Sequence, residues 1–239
     1  MEKQYKYLLF DLDDTLVDDY ENRTYAFSKV LESREEEVTQ EKIDKFINID
    51  KQFWSDRASG KIKDPYTFKS KEEQTIWVRA QRFLIYFKDI TLKEAVKINE
   101  IYEEAVKEKV IPIKDAVNIL KFLYDKQYKM YIITNGPNRA VKSKLEKSNL
   151  INYITCYFSA DEIGFMKPKK EFFEGFMKKV NLEDKEKMLI IGDELDKDIK
   201  GGITNKIDTC WINRNKIENM SDIKPNYEIK DLLELKEIL

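Results

Sequence analysis

The chain has 239 residues, and its 43 lysines and arginines nearly balance 45 aspartates and glutamates, so the net charge is −2. It contains no histidine. This absence excludes Ser-His-Asp triads, Cys-His dyads, phosphohistidine and His-ligated zinc or iron sites. An enzyme of this composition must move protons with carboxylates, lysines or tyrosines.

The charge and hydropathy patterns also narrow the range of partners. A balanced net charge provides no basic field for a nucleic acid polymer, and the sequence has no run of about 18 apolar residues that would predict a membrane span. The first ten residues, MEKQYKYLLF, lack the long apolar core of a secretory signal. We therefore expect a cytoplasmic monomer or homodimer that binds neither nucleic acid polymers nor membranes.

Short apolar runs along the chain predict buried strands of a parallel sheet. They lie at residues 7–10, 130–133, 188–191 and 209–212. Helical patterns fill the segments between the later runs, as at Phe172, Phe173, Phe176 and Val180. Strands that alternate with amphipathic helices are typical of βαβ units, so we predict an α/β fold with a doubly wound parallel sheet.

The segment at residues 18–110 interrupts this alternation, because its periodicity is helical throughout. Two apolar stripes run through it: Ile43, Phe46, Ile47, Phe53 and Trp54, and then Ile76, Trp77, Ala80, Phe83, Leu84 and Phe87. A further helix is predicted to open at Thr91, since Glu94 stands at the spacing of a capping box. We expect a helical domain at residues 18–110, inserted into a core made of residues 1–17 and 111–239.

Polar clusters follow the predicted strands at the point where each strand ends. The sequence DLDDT follows the first strand at residues 11–15, TNG closes the second at 134–136, and GDELDKD closes the third at 192–198. A loop with the sequence GFMKP lies between them at 164–168. Ligands bind at the carboxyl ends of strands in open α/β sheets, so these four clusters together predict one site.

The residue types in these clusters suit phosphoryl transfer. Asp11, the first residue after the strand, can attack phosphorus and form an aspartyl phosphate. Asp13 lies two residues on, on the same side of an extended segment, and can act as general acid and then as general base. The acid role requires a partly desolvated site that raises its pKa.

A phosphate dianion approaches clustered aspartates only if cations compensate the charge. A hard, oxygen-ligated ion such as Mg²⁺ fits this need, held by Asp11, the backbone carbonyl of Asp13 and Asp193. Lys167 adds positive charge beside the transferring group. Thr134 and the backbone of Asn135 can bind the phosphoryl oxygens.

At these residues the chain resembles the haloacid dehalogenase (HAD) superfamily of phosphohydrolases. The matching segments are FDLDDTLVD at 10–18, TNG at 134–136, Lys167 with Pro168, and IIGDELDKDIKGG at 190–202. The resemblance implies a Rossmann-like core with an inserted helical cap. It implies the roles above for Asp11, Asp13, Thr134, Lys167 and Asp193, and it adds Asp198 as a supporting carboxylate.

Within the superfamily the chain looks most similar to the pyrimidine 5′-nucleotidases, which implies a nucleoside 5′-monophosphate as substrate. The segments that carry this resemblance are 164–174, 192–213 and FWSDRASGKI at 53–62. In the cap, Trp54, Arg57 and Lys61 are candidates for contacting a base. Glu194 departs from the Ser or Asn common in relatives, and it either tunes metal affinity or caps a helix.

The same core residues are compatible with other functions. A sugar-phosphate phosphatase or a phosphomutase would use the same residues, and the mutase would differ in how its cap excludes water. A hydrolytic dehalogenase is disfavoured, because such enzymes are not expected to carry an acid at the position of Asp13. A binding protein that has lost turnover is disfavoured by the complete catalytic set.

Overall fold

The computed structural model describes residues 4–136 and 138–239. Helices dominate the segment that follows the first strand, and strands alternate with helices after it. In chain order the elements are β1 (Tyr7–Phe10), α1 (Asp19–Ser33), α2 (Gln40–Ala58), α3 (Lys71–Phe87), α4 (Leu92–Glu108), α5 (Ala116–Asp125), β2 (Lys129–Thr134), α6 (Asn138–Lys147), β3 (Cys156–Ser159), α7 (Ala160–Ile163), α8 (Lys170–Val180), β4 (Met188–Gly192), α9 (Lys200–Asn205), β5 (Asp208–Ile212), β6 (Tyr227–Ile229) and α10 (Leu235–Ile238).

The strands form a six-stranded sheet in the order β3-β2-β1-β4-β5-β6, and every neighbouring pair is parallel. The strand order reverses direction at β1, which pairs with both β2 and β4. Phe10, the last residue of β1, stands opposite Ile132 and Ile191. The carboxyl ends of these three strands therefore reach the same edge of the sheet, where the topology changes direction and ligands bind in such folds.

Apolar side chains cover both faces of the central strands. Leu8 and Phe10 of β1 pack with α5 on one face, in a cluster that includes Leu120. Leu9 belongs to a different cluster with Phe173 and other residues of α8. Burial on both faces explains why the central strands read as continuous apolar runs, and it confirms the predicted doubly wound α/β sheet.

Residue contacts divide the chain into two units. One contains the chain up to Asp19 and from Val110 onward, and the other is Tyr20–Lys109. The second unit, all of which is described, is helical and contains no strand. Its core contains aliphatic and aromatic side chains, and the ring centroids of Phe27 and Phe46 are stacked 4.0 Å apart. The predicted capping box at Thr91 is confirmed, because Glu94 and Thr91 exchange both of its hydrogen bonds.

Within the described part of the chain, none of the helices has the length and apolar character needed to cross a membrane.

Candidate active site

Asp11 and Lys167 form the centre of the site at the carboxyl end of β1. The backbone N–H of Asp11 donates to the Ile191 carbonyl at 2.9 Å, which extends the pairing with β4 by one residue. Lys167 Nζ lies 2.6 Å from Asp11 Oδ1 and 2.7 Å from Asp198 Oδ1, and it donates to the Ile133 carbonyl at 2.8 Å. The lysine thus ties two carboxylates to the end of β2.

Asn135 fixes the backbone of Lys167 with two hydrogen bonds. The Asn135 Nδ2 group donates to the Lys167 carbonyl at 3.0 Å, and the Lys167 N–H donates to Asn135 Oδ1 at 2.8 Å. A side chain on the loop after β2 therefore holds a loop that is 32 residues distant in sequence. This pair of bonds holds the backbone from which the ammonium group extends.

Three carboxylates converge beside the lysine. Oxygens of Asp11, Asp193 and Asp198 lie within 4.8 Å of one another, close enough to ligate a single metal ion. Gly192 makes room for this arrangement, since a Cβ at that position would lie 2.3 Å from Asp198 Oδ2. The chain then forms a π-helical turn at Leu195–Ile199, a feature frequent at functional sites.

Hydrogen bonds hold Asp193 in this cluster. Thr15 Oγ1 donates to Asp193 Oδ1 at 2.8 Å, and Trp211 Nε1 donates to the Asp193 carbonyl at 2.8 Å. Arg214 donates to the carbonyls of Asp14 and Thr15, so it fixes the loop that carries Thr15. The position of Asp193 is therefore determined by β1, β4 and β5 together.

Burial and crowding shift the protonation of this cluster. Burial, reinforced by the charge of Asp198, raises the pKa of Asp193 to about 7. Burial also raises the pKa of Asp11 well above its usual range; Lys167 opposes this effect and the neighbouring carboxylates add to it. For Lys167, Asp11 and Asp198 outweigh burial, so its pKa is raised and the ammonium stays charged. The protein alone thus leaves negative charge that one lysine does not balance.

Asp13 lies near the loop after β2 and is bound by a lysine on α6. Lys144 Nζ donates to Asp13 Oδ1 and to Asp19 Oδ1, the latter at 2.9 Å. A Cβ built on Gly136 would lie 3.2 Å from both Asp13 Oδ2 and Thr134 Oγ1. Thr134 is buried, and its hydroxyl accepts from the Gly136 N–H at 2.9 Å. The second oxygen of Asp13 therefore faces the predicted phosphate-binding loop.

Several residues that support this site have no role predicted from the sequence: Thr15, Asp19, Lys144, Trp211 and Arg214. Lys144 does carry a detectable signal. Val141, Lys144, Leu145 and Ser148 follow the i, i+3, i+4, i+7 spacing of a buried helix face, and all four are buried. A lysine at a core position of an amphipathic helix indicates a buried partner of opposite charge.

The candidate substrate residues of the helical unit each have a partner within that unit. Trp54 Nε1 donates to Asp50 Oδ1 at 3.1 Å, and Arg57 pairs with Asp64 at 2.8 Å. Lys61 pairs with Asp56 at 2.9 Å, and its side chain is 70% exposed.

Glu194 is exposed and pairs with Lys197 at 2.5 Å. It precedes the π-helical turn without a capping bond from its side chain, although its charge contributes to the raised pKa of Asp193.

Comparison with known proteins places this arrangement in a family. The sequence profile of the haloacid dehalogenase-like hydrolases matches residues 8–212, a range that contains every residue of the site described above except Arg214. The chain belongs to the haloacid dehalogenase-like hydrolase family. The predicted HAD resemblance is therefore confirmed.

Relatives of this HAD-like hydrolase match it over nearly its whole length. It is 30% identical to the HAD-hydrolase YfnB of Bacillus subtilis, over 99% of this chain and 96% of that protein. A crystal structure of YfnB bound to magnesium superposes with a TM-score of 0.86 and covers 99% of both chains.

Two other relatives carry names that state an activity. The chain is 30% identical to the pyrimidine 5′-nucleotidase PynA of Streptococcus pneumoniae, over 96% of this chain and 94% of that protein. It is 28% identical to the glyceraldehyde 3-phosphate phosphatase of Methanocaldococcus jannaschii, over 98% and 96%. The HAD-like hydrolase described here is a phosphoric monoester hydrolase.

Proposed function

We propose that this chain is a Mg²⁺-dependent phosphatase that hydrolyses small soluble phosphomonoesters through a phosphorylated Asp11. The observation that carries the proposal is the position of Lys167 Nζ, 2.6 Å from Asp11 and 2.7 Å from Asp198, beside three carboxylates whose oxygens lie within 4.8 Å of one another. This arrangement supplies a nucleophile together with the positive charge that a transferring phosphoryl group needs.

The proposed reaction has two steps on the protein's own carboxylates. In the first, an Asp11 oxygen attacks phosphorus, the bond from phosphorus to the alcohol oxygen breaks, and Asp13 gives that oxygen a proton. In the second, water attacks phosphorus, Asp13 takes a proton from the water, and the bond to Asp11 breaks. The products are the alcohol and inorganic phosphate. Lys167, Thr134 and the backbone of Asn135 hold the phosphoryl oxygens throughout.

The donor set at the site fits Mg²⁺. Carboxylate oxygens are the ligands that this hard cation prefers, and the raised pKa of Asp193 indicates negative charge that the protein leaves unbalanced. Asp11, Asp193 and the backbone carbonyl of Asp13 would hold the ion, with Asp198 supporting them. When bound, the ion supplies positive charge that polarises the phosphoryl group. The magnesium-bound structure of the relative YfnB supports this choice of metal.

A nucleoside 5′-monophosphate is the substrate that we propose first. The support is the 30% identity to a pyrimidine 5′-nucleotidase over nearly the whole chain. Trp54, Arg57 and Lys61 remain the candidates for contacting the base. A sugar or triose phosphate is the second candidate, supported by the full-length relative that is named a glyceraldehyde 3-phosphate phosphatase.

We also propose a cytoplasmic location and a monomeric or homodimeric state. Size-exclusion chromatography would test the oligomeric state.

Substitution of the nucleophile tests the mechanism. Asp11→Asn should preserve the fold and reduce phosphatase turnover by at least about a thousandfold, because the covalent step is lost. Asp125→Asn makes the same chemical change at an exposed position of α5 and should leave turnover unchanged. A purified Asp11→Asn protein with substantial activity would contradict the proposed mechanism.

A substrate panel and a chelator test the remaining assignments. EDTA should abolish turnover and added Mg²⁺ should restore it, whereas a chelator-resistant rate would argue against the metal. The panel should include nucleoside monophosphates, triose phosphates and hexose phosphates, with released phosphate as the readout. Turnover of sugar phosphates alone would refute the nucleotidase assignment, and isomerisation without phosphate release would indicate a mutase.

A further inference from the structure

Lys144 is a buried lysine that the proposed reaction does not use. It lies on α6, and only 8% of its side chain is exposed. Lys142 on the same helix is 64% exposed, whereas Lys144 lies on the buried face of α6 with Val141 and Leu145. An ammonium group is costly to remove from water, and proteins bury one only where charges of opposite sign compensate it.

Two carboxylates provide that compensation. Lys144 Nζ donates to Oδ1 of Asp13 and, at 2.9 Å, to Oδ1 of Asp19. Lys144 is therefore paired with two carboxylates in a site from which water is largely excluded. Asp13 is thereby tied through Lys144 to the first residue of α1.

The two oxygens of Asp13 have different surroundings. Oδ1 is held by the lysine, whereas Oδ2 lies where a Cβ on Gly136 would approach it to 3.2 Å. The same hypothetical Cβ would lie 3.2 Å from Thr134 Oγ1, a group expected to bind phosphate. Oδ2 is therefore the oxygen directed toward the phosphate-binding loop.

We propose that Lys144 is a positioning residue for proton transfer by Asp13. Its ammonium holds Oδ1, so that Oδ2 gives its proton to the leaving oxygen as the bond from phosphorus to that oxygen breaks. The bonding electron pair stays on the leaving oxygen, the proton neutralises it, and Asp13 is left as a carboxylate facing the ammonium. This inference rests on the proposed function, because that function gives Asp13 its role.

Leaving groups that differ in basicity separate this role from a structural one. An alkyl alcohol needs a proton to leave, whereas p-nitrophenolate leaves without one. Lys144→Met should lower kcat/KM about a hundredfold for the alkyl phosphomonoester that the wild-type enzyme hydrolyses fastest, and at most about fivefold for p-nitrophenyl phosphate. A structural defect would lower both values by the same factor.

Matched variants complete the test. Lys142→Met removes the same charge from an exposed position of α6 and should change neither value. Lys144→Arg should restore most of the activity on the alkyl substrate. If Lys144→Met does not fold, the double variant Lys144→Met with Asp19→Asn, which leaves the net charge unchanged, should show the same selective loss.

The outcomes distinguish this inference from the proposed function. Equal losses on both substrates, or no loss on either, in a folded Lys144 variant would overturn the positioning role. If Asp13→Asn retained wild-type activity, or if the wild-type enzyme released no phosphate from any phosphomonoester, the proposed function itself would fail.

Discussion

At the scale of single residues, the side chain of Asn135 acts on the site through Lys167. Asn135→Ala removes both hydrogen bonds to the Lys167 backbone but keeps the Asn135 backbone that is expected to bind phosphate. We expect kcat/KM to fall about 10- to 100-fold, because a displacement of about 1 Å in a catalytic group can cost about a hundredfold. Steady-state kinetics beside a thermal melt would measure this.

An exposed asparagine provides the comparison for that variant. Asn118→Ala on α5 removes a bond to Asp115 and should leave kcat/KM unchanged. Wild-type kinetics in a folded Asn135→Ala protein would show that Lys167 keeps its position without the side chain of residue 135.

The residues expected to carry the chemistry are predictable from the sequence, but few of those that position them are. Asp11, Lys167, Asp193 and Asp198 follow strands or open loops in a recognisable order, and the structure brings them together. For Trp211 the sequence predicts only a place in a strand, since no neighbouring residue in the sequence indicates that its indole donates to the Asp193 carbonyl. Such contacts depend on strand order, which one sequence leaves undetermined.

At the scale of helices and strands, a buried ionic network holds the helical unit together. Asp50 of α2 accepts from Arg82 of α3 at 2.6 Å and from Arg23 of α1 at 2.6 Å. Asp50→Ala would leave Arg82, itself almost fully buried, without its carboxylate. We expect a loss of about 3–5 kcal/mol in unfolding free energy, the usual cost of removing one partner from a buried pair.

Hydrogen exchange can localise that loss. Amides of α2 and α3 should exchange faster in Asp50→Ala, while those of β1 and β4 should be much less affected, because the network lies within Tyr20–Lys109. Asp56→Ala, which removes a partly exposed pair with Lys61, should cost at most about 1 kcal/mol. A similarly small loss in Asp50→Ala would show that the network contributes little.

The sequence predicts the central strands and the helices better than the edge strands and the buried charges, for physical reasons. The four apolar runs are strands because central strands are buried on both faces, whereas the edge strands β3 and β6 begin with exposed or half-buried residues and gave no such run. In α3 the predicted stripe includes Ile76, which is exposed, and omits Arg82, which is buried. Asp50 and Lys144 likewise occupy core positions, where a charged side chain needs a buried partner of opposite charge.

At the scale of the whole molecule, the crowded carboxylates link metal binding to stability. Without a cation, Asp11, Asp193 and Asp198 repel one another in a buried site, which the raised pKa of Asp193 reflects. Asp193→Asn removes one of these charges and should stabilise the metal-free protein by about 0.5–2 kcal/mol, as relief of functional strain often does. Mg²⁺ should instead stabilise the wild-type chain more than Asp193→Asn, because we propose that Asp193 is one of its ligands.

Thermal melts with and without Mg²⁺ test whether these carboxylates lower the stability of the metal-free protein and raise that of the metal-bound protein. At about one hundred times the dissociation constant, Mg²⁺ should stabilise the wild-type chain by about 2.7 kcal/mol, since only the folded state offers the site. For a chain of this length that corresponds to a rise in Tm of about 5–10 °C. Asp125→Asn should respond to Mg²⁺ as the wild type does, because Asp125 lies on the exposed side of α5. An equal rise in Asp193→Asn would place the bound ion elsewhere on the protein and remove Asp193 from the metal site.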